Sequence, residues 1–293
     1  ERLHLDAGLR LNHTREDRDT ALIETGVAGV ELGRDERRDT RLTGALGASY
    51  RLWTDPDQAD YLTAYANYRD SFKPAVVDFG PEAETDILEA EEATSGEVGL
   101  RGVNLEGRLS WEVAGFYMDF ANLVVPQTVD GRPGLTNAGN LMFRGLEGEA
   151  RYRIGDDVQV LASWAYHHSQ FGDYVRLFGD TPRQLRGNQQ ELSPDHLAGL
   201  GLIWQPAAGP FAFISSNYVG DRYLNKRNTA PAAGYATVDA GLGWRAKAWT
   251  LRVDGSNLTD RRDPASESEL GDAQYYRLPA RSYWLSLSYD LDR

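Results

Sequence analysis

The stretch Ala236-Thr237-Val238-Asp239-Ala240-Gly241-Leu242-Gly243-Trp244 decides the fold class of this chain. Every second residue in it is apolar, and the residues between are small or polar. Successive side chains of a β-strand point to opposite faces of a sheet, so a period of two predicts a strand with one apolar and one polar face. A helix would need apolar residues three and four positions apart.

The same alternation returns along the whole chain. Leu3, Leu5, Ala7, Leu9 and Leu11 share one parity near the start, and no long stretch has a helical period. We predict an all-β chain of roughly twelve strands of about ten residues, the length that a tilted strand needs to cross a bilayer. The predicted strands are 2–12, 41–52, 60–69, 94–101, 107–120, 142–154, 157–168, 196–204, 210–219, 234–245, 248–257 and 281–291.

The links between these strands alternate in length. Short links are predicted at 53–59, 102–106, 155–156, 205–209 and 246–247, and long ones at 13–40, 70–93, 121–141, 169–195, 220–233 and 258–280. Bacterial outer-membrane barrels have short periplasmic turns and long extracellular loops. The alternation therefore predicts an antiparallel transmembrane β-barrel in the bacterial outer membrane, with the long loops outside the cell.

Tryptophan placement supports a membrane boundary beside the short links. Trp53, Trp111, Trp204, Trp244 and Trp249 all lie there. Indole rings favour the bilayer interface because the ring is apolar and its N–H needs a polar partner. The parity of Trp53 is wrong for a lipid-facing position. The alternative interpretation is a soluble antiparallel β protein whose apolar parity faces a core.

Composition excludes several classes of function. The formal charge of -13 argues against a nucleic-acid partner, and the absence of Cys excludes cysteine nucleophiles and cysteine metal sites. The uncharged run 197–220 is interrupted by Pro206, Gly209 and Pro210, which predicts a turn rather than a membrane helix. The chain opens directly on an alternating segment without a secretory signal, so we expect a mature or truncated chain.

Several motifs occur in the order of a known family. They are Gly47–Leu52 with Leu62–Tyr68 and Ser71–Pro74, Glu91–Gly102, Asn137–Asn140 with Arg144–Glu149, Tyr218–Tyr223 with Gly234–Asp239, Asn257–Asp260, and Pro279–Tyr283. Together they resemble the C-terminal barrel of TonB-dependent outer-membrane receptors. The family usually ends on an aromatic residue, whereas Leu291 is followed here by Asp292 and Arg293.

The resemblance implies a plugged barrel of about 22 strands. We therefore expect residues 1–293 to be the C-terminal part of such a barrel, without the N-terminal plug, the TonB-contacting segment and the first strands. The implied function is TonB-dependent uptake of a scarce nutrient, foremost a ferric siderophore, and no enzymatic activity. The alternative is a self-contained small barrel that acts as a passive channel or a rim hydrolase.

Candidate cargo contacts should lie on the long loops. Siderophores are commonly anionic, and Arg offers planar donors while aromatic rings offer stacking faces. The candidate residues are Tyr174, Arg176, Phe178, Arg183, Arg186, Arg222, Tyr223, Arg227, Tyr275, Tyr276 and Arg277. These residues are alternatively solvated loop side chains or contacts to lipopolysaccharide phosphates, since outer-membrane lipid and lipopolysaccharide are the other expected partners.

Metal and cofactor sites are not predicted. His167 and His168 are adjacent, so on a strand they point to opposite faces and at most one reaches the lumen. The acidic stretches 35–39 and 82–92 are predicted in loops, as solvated charge or as calcium bridges to lipopolysaccharide.

Overall fold

The structure is a computed structural model that describes residues 2–22, 30–57, 59–74, 87–129, 132–137, 139–178, 181–267 and 275–291. Its elements are all β-strands within those residues. They are β1 (Leu3–Leu22), β2 (Val30–Thr54), β3 (Tyr61–Lys73), β4 (Glu91–Asn104), β5 (Leu109–Ala121), β6 (Val124–Val129), β7 (Arg132–Asn137), β8 (Leu141–Ile154), β9 (Val158–Phe171), β10 (Val175–Phe178), β11 (Thr181–Gln184), β12 (His196–Trp204), β13 (Gly209–Val219), β14 (Arg222–Tyr223), β15 (Pro231–Ala232), β16 (Tyr235–Ala246), β17 (Trp249–Ser256), β18 (Pro264–Glu267), β19 (Tyr275–Arg277) and β20 (Ser282–Tyr289).

Twelve long strands form one antiparallel sheet in the order β1-β2-β3-β4-β5-β8-β9-β12-β13-β16-β17-β20. Each of the twelve predicted strands is confirmed. Every strand pairs with the next long strand along the chain, as in an up-and-down barrel. β1 and β20 are the two edges, and in the described residues they do not pair with each other. The structure therefore does not support closure of these strands alone into a small barrel. No helix among the described residues could span a membrane.

The apolar parity of the strands lies on an exposed face. Leu9, Leu200 and Leu285 are 81%, 60% and 72% exposed. The opposite parity carries charged and polar side chains, such as Glu97 and Glu149, which line a shared recess. A sheet that contacts lipid requires such an apolar, uncovered outer face on all of its strands. This confirms the membrane-barrel interpretation over a soluble protein with an apolar core.

The predicted long loop at 13–40 is wrong. β1 continues to Leu22 and β2 begins at Val30, and the two strands remain paired over this whole length. Both faces of this upper hairpin are polar, so the sequence shows no apolar alternation there. The backbone ladder persists there without an apolar face, and one side is partly covered: Arg18 is 7% exposed, and the Ile87 N–H donates to Asp35 Oδ2 at 2.6 Å. Cross-strand ion pairs accompany it, with Arg15 Nε 3.3 Å from Glu36 Oε1 and Arg34 Nε 3.3 Å from Asp19 Oδ1.

Four of the five other predicted long loops contain short hairpins that alternation did not predict. β6 pairs with β7, β10 with β11, β14 with β15, and β18 with β19. The acidic stretch 35–39 lies in β2 rather than in a loop. Of the stretch 82–92, residues 82–86 lie outside the described residues, 87–90 belong to no strand, and β4 begins at Glu91.

A β-bulge explains the parity of Trp53. The register between β2 and β3 shifts between Arg51 and Trp53, so Leu52 is the extra residue and Trp53 pairs with Leu62. A bulge places two residues of one strand opposite one residue of its partner, which reverses the faces beyond it. Leu52 and Trp53 are consequently both exposed. The bulge turns Trp53 towards the lipid.

Candidate functional site

A small core lies where the loops after β5 and β9 meet the start of β8, at the end of the sheet that carries the long links. Val125, Leu141, Phe171, Tyr174 and Leu185 are buried there. Tyr174 was predicted to contact cargo, but its side chain is only 2% exposed. Burial raises the pKa of the Tyr174 hydroxyl, and the nearby Arg176 opposes this effect. Tyr174 therefore supports the loops and does not present a contact surface in this structure.

Two of the predicted cargo contacts, Arg176 and Arg227, lie against the aromatic ring of a third, Phe178. The guanidinium carbon of Arg176 lies 5.5 Å from the Phe178 ring centroid, and that of Arg227 lies 4.9 Å from the same centroid. Arg183 is exposed and stands opposite Arg176 in the β10–β11 hairpin. Cation–π attraction holds each guanidinium to the ring, while the like charges repel one another. The arrangement gathers positive charge beside an aromatic surface, and we name these four residues the Phe178 cluster.

Hydrogen bonds between two loops position Arg227. The side chain of Asn228 donates to the Gln189 carbonyl at 2.9 Å and accepts from the Gln189 backbone N–H at 2.7 Å. The Asn188 side chain donates to the Lys226 carbonyl at 2.9 Å, and Lys226 forms an ion pair with Glu191. These contacts join the loop after β11 to the loop after β14, so the position of Arg227 depends on residues distant in sequence.

Arg222, Tyr223 and Arg186 have other roles in the structure. Arg222 is 4% exposed, donates to the carbonyls of Ala233 and Pro264, and lies 5.1 Å from the Tyr235 ring centroid. The Tyr223 carbonyl accepts from the Leu192 N–H at 2.8 Å. The exposed Arg186 pairs with Asp173 at 2.9 Å. Arg222 thus stabilises the loops from inside.

The remaining three candidates lie together on another hairpin. Tyr275, Tyr276 and Arg277 are exposed in β19, which pairs with β18. Arg277 Nη1 lies 3.5 Å from the Arg262 carbonyl oxygen, at the limit of a hydrogen bond. These residues form a second exposed group that contains two aromatic rings and one cation.

Sequence reasoning missed a cluster of carboxylates on the lumen face. Glu97, Glu112, Glu147 and Glu149 line one recess of the wall with Tyr65. The Tyr65 hydroxyl donates to Glu112 Oε1 at 2.5 Å. The sequence does place glutamates at polar positions of three neighbouring strands. Any residue that faces water occupies such positions, however, so this pattern did not indicate a cluster. Strand register was needed to bring these residues together.

The two adjacent histidines point to opposite faces, as predicted. His167 Nε2 lies 2.6 Å from Glu147 Oε1 on the lumen side, and its ring contacts the edge of Phe116. His168 Nδ1 lies 3.5 Å from Asp195 Oδ1 on the other side. Among the described residues, no three His, Cys, Asp or Glu side chains are placed to hold a metal ion.

The fold and its lumen define a class of outer-membrane receptor barrel, and sequence comparison specifies the family. Residues 1–258 match the family model described as TonB dependent receptor-like, beta-barrel. The chain therefore belongs to this family and lies in the bacterial outer membrane, as predicted.

Curated relatives agree with the family. The pesticin receptor of Yersinia enterocolitica is 26% identical over 270 residues, which cover 89% of this chain and 37% of that protein. The ferrioxamine receptor of the same species is 26% identical over 239 residues, or 78% of this chain and 31% of that protein. This chain thus spans about a third of the length of these relatives. Both relatives are named as receptors.

Solved structures show the same fold. The ferric yersiniabactin uptake receptor of Yersinia pestis superposes with a TM-score of 0.80 at 22% identity, covering 99% of this chain and 43% of that one. The siderophore receptor PiuA of Acinetobacter baumannii gives a TM-score of 0.77 at 19% identity, covering 98% and 41%. At this level of identity the likeness concerns the fold alone.

Proposed function

We propose that residues 1–293 are the C-terminal part of the barrel of a TonB-dependent receptor that takes up a ferric siderophore. Family membership over residues 1–258 carries the proposal. Two unpaired edge strands in lipid would leave backbone groups without partners, so the sheet needs further strands. In the whole receptor, about ten more strands complete the barrel and an N-terminal plug with a TonB-contacting segment fills it.

The carboxylates on the lumen face support the proposal that a plug fills the interior of the whole barrel. Glu97, Glu112, Glu147 and Glu149 face inward, and of these only Glu147 has a basic partner, His167, among the described residues. Neighbouring carboxylates repel each other unless cations or water compensate them. A plug with basic side chains at this level would compensate the charge.

The Phe178 cluster is our proposed cargo contact, with Tyr275, Tyr276 and Arg277 as a second group. Planar guanidinium groups donate in pairs to carboxylate and phenolate-type oxygens, and an anion relieves the repulsion among Arg176, Arg183 and Arg227. Tyr174 and Arg222 hold the loops in place, while Arg186 and Tyr223 border the same region.

Growth at low iron supply tests the transport function. The gene for the complete receptor should restore growth of an uptake-deficient strain on one ferric chelate, and residues 1–293 alone should not. The restoration should disappear when TonB is absent. Growth supported by residues 1–293 alone, or growth without TonB, would contradict the proposal.

A paired substitution tests the cluster. The complete receptor with Arg176→Gln and Arg227→Gln should bind an anionic ferric chelate about tenfold or more weakly, because hydrogen bonds to charged groups contribute about 1.5–3 kcal/mol each. The matched control is Arg38→Gln, an exposed arginine that pairs with Glu36 on the upper β1–β2 hairpin. Equal affinity of the double variant and the control, measured by equilibrium binding to whole cells, would exclude the cluster as the contact.

A further inference from the structure

Two arginines flank one threonine on the lumen face, near the end of the sheet that carries the short links. Arg51 in β2 and Arg101 in β4 are the cross-strand partners of Thr63 in β3. Cross-strand partners point to the same face of a sheet. Arg101 lines a recess of the lumen wall together with Glu149. The side chains of Arg51, Thr63 and Arg101 therefore all lie on the lumen face.

Each of these arginines contacts a tyrosine ring of β3 rather than a carboxylate. The Cζ atom of Arg51 lies 4.5 Å from the Tyr61 ring centroid, and that of Arg101 lies 5.7 Å from the Tyr65 ring centroid. Glu112 is the cross-strand partner of Arg101 in β5, but its Oε1 accepts from the Tyr65 hydroxyl at 2.5 Å. Neither arginine forms an ion pair or a side-chain hydrogen bond within the described residues, so their donors remain available.

The threonine between the two arginines is buried and unsatisfied. Thr63 is 5% exposed, and its Oγ1 has no hydrogen-bond partner in the part of the chain that the structure describes. A buried hydroxyl without a partner costs free energy. An oxyanion in front of Thr63 would accept from this hydroxyl and from both guanidinium groups. Because hydrogen bonds between charged groups are stronger than exposed cation–π contacts, both arginines would exchange their tyrosine rings for such a ligand.

We propose that Arg51, Thr63 and Arg101 form a transit site, which binds a carboxylate or other oxyanion group of the cargo as it passes along the lumen. The transit site rests on the proposed uptake of an anionic ferric chelate, and it is separate from the Phe178 cluster. Contacts that exchange with tyrosine rings suit a ligand that must be released again. The carboxylates of Glu112 and Glu149 line the adjacent recess and repel an anion, which shortens its residence.

Uptake by energised cells and binding to de-energised cells together test the transit site. The variant is the complete receptor with Arg51→Gln and Arg101→Gln, and the probe is radioactive iron bound to the chelator that restores growth. Binding to de-energised cells should equal that of the wild type, because the Phe178 cluster is intact. The maximal rate of uptake should fall about tenfold, since charge-assisted hydrogen bonds are lost. Thr63→Val, which loses one neutral donor, should lower the rate about threefold.

Two further variants show whether the effect belongs to the site. Arg108→Gln with Lys247→Gln is the matched control, because both residues are exposed in short links at the same end of the sheet and the same charge is lost. This control should take up the probe at the wild-type rate. Arg51→Lys with Arg101→Lys should keep part of the rate, because lysine retains the charge but not the paired donors. Heat-modifiable migration on gels checks that each variant is folded.

Several outcomes would overturn the transit site. They are equal maximal uptake by the double glutamine variant and the wild type, an equal fall in the control, and weaker binding of the probe to de-energised cells. Killing by vancomycin, which an intact outer membrane excludes, should not increase in the double glutamine variant. An increase would show that the arginines hold acidic side chains of the plug instead of cargo. Absence of uptake by the wild type would contradict the proposed function itself, on which the transit site depends.

Discussion

The two faces of the same strands follow different rules. On β8, Leu146 and Tyr152 point outward and are exposed, whereas Glu147 and Glu149 point inward to a recess that also holds Tyr65. The outer face repeats one simple chemistry, because any apolar side chain suits hydrocarbon. The lumen face carries specific neighbours, because charges and hydrogen bonds require particular partners. Periodicity therefore describes the outer face well and the lumen face poorly.

The largest expected effect comes from a charge on the lipid face. Leu200→Arg, at the centre of β12, should destabilise the receptor by about 2–4 kcal/mol, because the arginine must leave water for the bilayer midplane. The comparison variant is Ser215→Arg, whose side chain lines the lumen recess. It should cost less than about 1 kcal/mol. Urea unfolding of the complete receptor in lipid vesicles measures both; equal costs would remove the distinction between the faces.

Two glycines on the lumen face, Gly241 and Gly8, differ in how closely other atoms surround them. A Cβ at Gly241 would lie 2.3 Å from the Phe213 ring and 2.5 Å from Asp254 Oδ1, whereas a Cβ at Gly8 meets nothing within 4 Å. Gly241→Ala should therefore cost about 1–3 kcal/mol through overpacking. Gly8→Ala, also on the lumen face, should leave stability unchanged or slightly raised. The same unfolding measurement applies, and a similar cost at both positions would argue against close packing at Gly241.

The smallest effect is expected at exposed charges on the upper part of the β1–β2 hairpin. Glu36→Gln removes ion pairs to Arg15 and Arg38, all of them well exposed. Exposed pairs contribute about 0.2–1 kcal/mol and are screened by salt. The unfolding midpoint should shift little in dilute buffer and not at all in high salt. A cost comparable to that of Leu200→Arg would show that the ion pairs of Glu36 are covered by another part of the receptor.

Sequence reasoning succeeded where the environment imposes one rule on every second residue. Leu3 to Leu11 and Tyr283 to Leu287 were predicted on the exposed face and lie there. It failed on 13–40, because alternation signals a difference between two faces and both faces of that hairpin are polar. It did not predict the burial of Tyr174, since the position of an aromatic residue in a loop near arginines gives no sign of its exposure.

The candidate site was predictable only as a collection of residue types. Arg176, Phe178 and Arg227 were all predicted from residue type and loop position. The contact of both arginines with the Phe178 ring, however, depends on hydrogen bonds between two loops. The lumen carboxylates were not predicted at all. Nothing along one strand reveals that Glu112 stands opposite Glu149 on the next.

The sequence by itself determined the number of long strands, the face that meets lipid and the end of the sheet at which the long links lie. Each of these follows from a local period of two and from link length, which act over a few residues. The tertiary structure alone decided the bulge that turns Trp53 outward, the extension of the first hairpin and the neighbours of Phe178. Those features depend on register and on contacts between distant segments, and a one-dimensional pattern carries no such information.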